Sequence, residues 1–528
     1  MAPFHSSLFG FRPFGPRSSA FGLHYLTAGF ALAGMLLAGC TVGPDYHRPA
    51  PLGTNAMPAA FTSPAITNSG AQWKPAEPAA GFPRGAWWQI FGDTELNALE
   101  ALAEANNQDL ASALARFEEA RATVNIARAE FFPQVPLDLS YTRQRTSANE
   151  PQNGRAAGNG PTFNTFTATL QAGWEADLWG RIRREVENAR AQFNASANDL
   201  ETVKLAVQAE LATDYFAVRT LDSEYAVTER TAGSYRRTLG FIVNRRKGGI
   251  ASDLDVAQAE TQLRAAEADL PAIRLERTKL VHALATLCGQ PATSFTLTSR
   301  ELPLPQAPAV PVSLPSDLLE RRPDVAGAEQ RVAAANARIG VAHAAFYPRV
   351  QFSGLAGLES IDAATWFDWP SRLWSFGPSV DLPLFTGGRN RAQLALARAS
   401  HQEAVANYRQ TVLAAFQEVE DQLAAQVLLQ SQVEANSSAL KAAQRTLEIA
   451  DNRYRSGLVT YLEVSSAQRA ELTLERTVVL LQGRELATAV GLIKALGGGW
   501  EGPRLTSTGP ASPRADVLTP GRQDARTQ

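Results

Sequence analysis

From Arg181 onward the apolar positions Ile182, Val186, Ala189, Phe193, Ala197, Leu200, Val203, Val207, Leu211, Tyr215, Val218, Leu221 and Tyr225 advance by threes and fours with no intervening proline. The spacing predicts one unbroken helix from Arg181 to about Lys247, roughly 100 Å long at about 1.5 Å per residue. A second segment repeats the pattern with Val405, Tyr408, Val412, Phe416, Val419 and Leu423. No ordinary globular core needs a helix of that length. Stripes sustained this far predict coiled-coil-like packing along a tube or rod.

Between the helical stretches the period changes to two. In "VPLDLSYTRQR", Val135, Leu137, Leu139 and Tyr141 share one face, and Asp138, Ser140, Thr142 and Gln144 share the other. "FTATLQAGWE" answers with Phe166, Leu170 and Trp174 opposite Thr167, Thr169, Gln171 and Glu175. "VQFSGLAGL" alternates less cleanly, and "WSFGPSVDLPL" sets Trp374, Phe376, Val380 and Leu382 against Ser375, Ser379 and Asp381. Two β-hairpins follow, at about 134–175 and 349–384, with strands long enough to cross a bilayer when tilted. Soluble sandwiches also alternate in this way. Four strands cannot close a membrane barrel, which begins at about eight. A spanning version therefore needs at least two chains, eight strands from a dimer or twelve from a trimer.

The segments recur. "FFPQV" at 131–135 faces "FYPRV" at 346–350 at an offset of 215, and "GGIASDLDVAQAE" falls on "SGLVTYLEVSSAQ" at an offset of 208. A framework of Gly, Pro and aromatics held in two registers argues for internal duplication. The expected organisation is a first repeat over 87–288, a Pro-rich connector over 289–316, a second repeat over 317–499 and a polar tail over 500–528 that reads as disordered.

Composition and charge change the picture mainly by exclusion. A net charge of −2 across 528 residues exerts no pull toward nucleic acid. His5, Arg12 and Arg17 precede "LTAGFALAGMLLAGC", which is too short and too rich in Ala and Gly for a permanent span and reads as an export signal over 1–39. Residues 40–86, rich in Pro, Ala and Ser, read as a tether. With Cys40 at the end of the signal, Cys288 is the single remaining thiol, so no internal disulfide is expected. The six histidines form no HExxH or close pair, and neither GxSxG nor a P-loop occurs, so we expect no enzyme, no metal and no cofactor.

Leu37-Ala38-Gly39-Cys40 resembles the lipobox of bacterial lipoproteins, which implies acylation of Cys40, and Thr41 after it implies sorting to the outer membrane. "CTVGPDYHRP", "WWQIFGDTELNALE", "ERRPDV", "DLWGR", "LFTGGR" and "NRYRSGLVTYLEV", in this order, resemble the outer-membrane efflux lipoproteins of the TolC/OprM type, the NodT-like group. The resemblance covers about Cys40 to Gly499. It implies a mainly α fold with transmembrane β: long coiled-coil-like helices forming a periplasmic α-barrel, plus an outer-membrane β-barrel shared by a homotrimer, four strands per chain. It also implies a passive exit duct embedded in outer-membrane lipid, working with a periplasmic adaptor (a membrane fusion protein) and an inner-membrane (RND-type) transporter. A protein-secretion duct and a pore-free coiled-coil lipoprotein are the competing readings.

The far helix ends, "NRRKGGIASDLDV" and "NRYRSGLVTYLEV", read first as turns. Basic residues suit a helix C-terminus, Gly249 and Gly457 suit a left-handed C-cap, and Ser252 and Thr460 can cap the following helix. The resemblance adds that these tips meet the adaptor, through Arg245, Arg246, Gly249, Asp253, Arg453, Gly457, Thr460 and Glu463. Relatives often carry an acidic ring here. Ser466 stands where an aspartate is common, leaving Glu463, Asp253 and Asp255.

Overall fold

The computed structural model describes residues 41–52, 85–147, 160–300, 304–308 and 321–498. The signal, Cys40, residues 53–84, the first hairpin loop over 148–159 and the tail from 499 lie outside the described residues, as does most of the connector beyond 300.

Among the described residues seven α-helices and four strands carry the fold: α1 (Thr94–Asn106), α2 (Gln108–Ala129), β1 (Leu137–Arg145), β2 (Thr162–Ala176), α3 (Arg181–Lys247), α4 (Asp253–Leu287), α5 (Pro323–Ala344), β3 (Arg349–Ser360), β4 (Arg372–Asp381), α6 (Arg389–Arg455) and α7 (Tyr461–Ala495). The internal duplication is visible in the element bounds. α3 and α6 are both 67 residues long, and α4 and α7 both 35. Each long helix packs against a 22-residue helix near the sheet and a 35-residue helix toward the far end.

Of the stripe read from the sequence, Ile182, Val186 and Ala189 are buried and pack with Val124 and Ala127 of α2, while Phe193, Ala197, Leu200 and Val203 are half-buried. Further along, Val207, Leu211, Tyr215 and Val218 enter the main core with Tyr408, Val412, Val419 and Leu486. Beyond Val218 the buried face turns polar, with Arg219, Asp222, Glu224 and Thr228 inside while Leu221 and Tyr225 are half-buried. Hydrophobic spacing does not reveal that switch, because it depends on ion-pair partners, most of them on other elements: Glu95 and Arg277 for Arg219 and Asp222, and Arg476 for Glu224.

The four strands form one antiparallel sheet in the order β1-β2-β3-β4, so β1 and β4 are its two edges. Cross-strand rows keep the predicted faces together. Leu137, Leu170, Ala356 and Trp374 lie in one row, and Trp174, Phe352 and Pro378 in another. Ser140, Thr167 and Glu359 lie in a row on the opposite face. At each hand-over a proline ends the helix, which cannot continue through Pro133 or Pro348. Indoles tie both junctions to the body: Trp174 Nε1 donates to Phe131 O at 2.9 Å, and Trp179 Nε1 to Pro348 O at 2.7 Å.

The described parts of the tether and the connector are tied to the helices. In the tether, Asp45 pairs with Arg184 at 2.9 Å, Asn336 Nδ2 donates to Pro44 O at 3.0 Å, and Arg48 pairs with Glu329 at 2.7 Å. In the connector, Phe295 and Leu297 are buried in the main core and Leu304 packs on it. Low periodicity concealed this because single apolar anchors carry no period.

Candidate functional site

The molecule offers three places where side chains converge: the sheet, the middle of the long helices and the far turns.

Among the described residues the apolar sheet face is largely bare. Leu137, Leu139, Tyr141, Trp374, Phe376 and Val380 are each more than half exposed. Burying such side chains is worth about 1.5–3 kcal/mol each, so leaving a whole face bare in water would be costly. Among the described residues no helix is long and apolar enough to cross a membrane, and the sheet is the element suited to lipid. The other face is polar, and near the junction it borders a cavity of about 620 Å³ lined by Gln171, Gln351, Ser353, Ser375 and Arg181. Arg181 Nε donates to Glu175 at 2.8 Å and its Nη2 to Glu130 at 2.9 Å.

At mid-length an ion-pair network binds both ends of the first repeat to α3. Asp222, almost fully buried, accepts from Arg219 at 2.8 Å, Arg277 at 2.6 Å and the Ser299 hydroxyl at 2.7 Å. Arg219 also reaches Glu95 of α1 and donates to Thr298 O at 2.8 Å. Tyr215 donates its hydroxyl to Asp93 at 2.6 Å, the same Asp93 whose carboxylate caps α1. A parallel tie in the second repeat runs from Arg322 to Asp324, Glu418 and Ala495 O, at 2.6, 2.7 and 3.0 Å. Arg322 and Asp324 of this second tie lie within "ERRPDV", a stretch that carries the resemblance without being read as an ion pair. In the first, only the i,i+3 spacing of Arg219 and Asp222 is local.

Nearby, Glu100 is buried with neither carboxylate oxygen partnered. Burial, reinforced by Glu104, pushes its carboxyl up to about 9, so it is neutral at physiological pH. The Cys288 thiol is pushed up to about 11 by burial and by Glu100, which makes it an inert packing group.

At the far end the two turns are built alike. Gly249 and Gly457 take φ of 73° and 76°, and neither has a neighbour where a Cβ would project. Ile250 N–H donates to Arg245 O and Leu458 N–H to Arg453 O, both at 2.9 Å, closing a Schellman turn on each helix. Ser252 forms a capping box with Asp255. Thr460 sits at the N-cap of α7 but makes no side-chain cap bond, contrary to the expectation that it would. Tyr461 and Val464 of that first turn are drawn into a small core with Ile242, Ala450 and Tyr454, so the turn is held by packing instead.

This core joins the two tips. Arg245 Nη1 donates to Tyr454 O at 3.2 Å, and its guanidinium lies 5.0 Å from the Tyr454 ring and 5.7 Å from that of Phe241. Arg246 pairs with Asp253 within the first turn. Arg453 and Glu463 are exposed; Glu463 N–H donates to Thr460 O at 3.3 Å, and among the described residues neither side chain pairs with another candidate residue. Tyr461 was not singled out in the sequence, yet its hydroxyl donates to Gln262 or Gln468, each at 3.3 Å. Burial raises that hydroxyl, as it does those of Tyr454 and, to about 12, Tyr235, so all three stay protonated; Tyr461 and Tyr235 donate, while the Tyr454 hydroxyl is buried without a partner among the described residues. Among the described residues no group of three His, Cys, Asp or Glu side chains is placed to hold a metal.

Comparison with known proteins agrees with this geometry. A family model described as outer membrane efflux protein matches residues 99–290 and 314–498. The chain is 33% identical over 493 residues to the probable efflux pump outer membrane protein TtgC of Pseudomonas putida, covering 93% of this chain and 98% of that one. It is 30% identical over 470 residues to the cation efflux system protein CusC of Escherichia coli, covering 88% and 97%. The solved outer-membrane channel OprN superposes with a TM-score of 0.78 at 30% identity, covering 87% of this chain and all of that one.

Proposed function

Because the chain belongs to the outer membrane efflux protein family and is the outer-membrane channel of a tripartite efflux system, we propose that three copies close their sheets into one barrel and their helices into a duct beneath it. The carrying observation is the four-stranded sheet with two unpaired edges and a bare apolar face. Unpaired edges within lipid leave backbone groups unsatisfied at several kcal/mol each, and closure on other copies removes the edges. Three copies then give about twelve strands, well within the range of membrane barrels.

Polar faces line the water path, and small toxic compounds leave through it passively, driven by an RND-type transporter in the inner membrane. A periplasmic adaptor meets the far turns at Arg245, Arg246, Gly249, Asp253, Arg453, Gly457, Thr460 and Glu463. The exposed Arg453 and Glu463 are the groups there with the most freedom to pair with a partner. Acylation at Cys40 anchors each copy to the membrane. The position of Thr41 supports this: it packs against Gly180, and Val42 N–H donates to Trp179 O at 3.0 Å, beside the junction between helix and sheet. Native mass spectrometry of the detergent-extracted protein tests the assembly. A mass of three acylated chains is expected, and a monomer that keeps its fold would overturn the proposal.

A further inference from the structure

The outward face of the sheet does not end as it begins. Along β1 the exposed parity runs Leu137, Leu139, Tyr141 and then Arg143 and Arg145. At the outer end of β4 the same face carries Arg372, opposite Leu358. The strand ends are staggered: Arg145 pairs with Thr162, whereas Arg372 aligns through Leu358 with Ala168. The inner ends step the same way, from Leu137 opposite Leu170 to Asp381 opposite Arg349, next to the Val350 that pairs with Ala176. A tilted sheet has this stagger, and tilting brings Arg145 and Arg372 to one rim.

Just below that rim sits an aromatic cluster, with Tyr141 on Phe166 at 4.9 Å and Phe166 on Trp366 at 5.5 Å. Arg372 lies 4.1 Å over the Trp369 ring and donates to Trp369 O at 3.3 Å. None of the three arginines forms an ion pair with a carboxylate among the described residues, and all three are exposed. Glu359 belongs to the opposite face, where it accepts from Thr167 at 3.5 Å, and Asp362 is engaged with Ala364 N–H at 3.0 Å. Unpaired guanidinium groups facing lipid are rare because they are costly. Set above an apolar band and an aromatic girdle, they stand at headgroup level.

We propose that Arg143, Arg145 and Arg372 form a docking site for a phosphate-bearing glycolipid of the outer leaflet. Guanidinium grips phosphate through two parallel hydrogen bonds. Arg143 and Arg145, two residues apart on one face, stand roughly 7 Å from each other, close enough to share one phosphate group. The inference rests on the barrel reading above. Edge-to-edge closure sets β4 of one copy beside β1 of the next, so Arg372 joins the partner's Arg143 and Arg145 at each seam. Acyl chains then lie over Leu139, Trp374 and Phe376.

The test compares bis-phosphorylated lipid A with the same lipid after phosphatase treatment, titrated into the extracted full-length protein and read by native mass spectrometry. Bound phosphorylated lipid is expected at affinity about tenfold or more above the dephosphorylated form, weakening with added salt. Substituting Arg143→Gln, Arg145→Gln and Arg372→Gln together removes that preference, and the triple Lys variant keeps part of it. Equal binding of both lipids by the wild type, or an unchanged preference in the Gln variant, overturns the proposal. Conductance of the same preparations separates the two readings. A conducting protein that ignores the phosphates refutes the docking site alone, and a non-conducting one refutes the barrel and the site together.

Discussion

Asp222→Ala is the sharpest probe of what holds the mid-section together. The side chain is about 1% exposed and accepts from Arg219, Arg277 and Ser299 at 2.6–2.8 Å. Its removal leaves Arg219, about 9% exposed at the side chain, dependent on Glu95 and Thr298 O, while Arg277 keeps Leu297 O. Breaking a buried ion pair from one side costs about 3–5 kcal/mol, because a desolvated charge loses its counter-ion. At roughly 1–2 °C per kcal/mol for a cooperative unit of this length, the melting midpoint in detergent should fall by about 3–10 °C. Lys279→Ala is the control. Its pair with Glu276 is 2.7 Å long but about 60% exposed on both sides, and exposed pairs are worth at most about 1 kcal/mol. The assay is intrinsic-fluorescence melting of both variants beside the wild type. An Asp222→Ala protein that melts with the Lys279→Ala control would refute the reasoning, since the network would then have no role in holding α1 and the connector to α3.

Glu100 makes a pH-dependent prediction. Its carboxyl is raised to about 9 from an ordinary 4.5, so between those values the folded chain holds a proton that the unfolded chain has released. Stability from this group therefore falls as pH rises through that window. Glu100→Gln should melt higher than wild type at pH 8 and about equally at pH 4.5, and parallel pH profiles would contradict the assignment. Reversing charge at Arg245 and Arg453 to Glu should weaken adaptor-dependent export, scored as drug tolerance at equal protein level, and unchanged tolerance would remove these tips from adaptor docking. Cys40→Ser should abolish incorporation of radiolabelled palmitate, and persistent labelling would refute the anchor.

Much of the architecture could be read in the sequence because it is periodic. The stripe from Ile182 to Val218 and the alternation from Val135 to Tyr141 each encode an element and its face. The two offsets, 215 and 208, placed every long element of the second repeat. What could not be read was aperiodic. Arg219 stands three residues from Asp222 on α3, but the other partners of Asp222 lie on α4 and the connector, and no spacing rule links positions so far apart. Asp45 and Phe295 are isolated anchors in Pro-rich stretches whose composition suggests looseness. At the tips, the glycines announced their turns because only a positive φ closes a Schellman motif economically. Thr460 looked like a cap, but Tyr461 and Val464 hold that turn by burial, a tertiary fact with no local mark. Arg143 and Arg145 broke the apolar alternation of β1, and the break acquired meaning once Arg372 was placed at the same rim.

The central claim is that this sheet closes with copies of itself into a water-filled path across the outer membrane. Single-channel recording of the purified full-length protein in planar bilayers tests it most directly. Discrete, uniform conductance steps are predicted. Bilayers that remain silent, with acylated protein shown to be bound to them, would contradict the account.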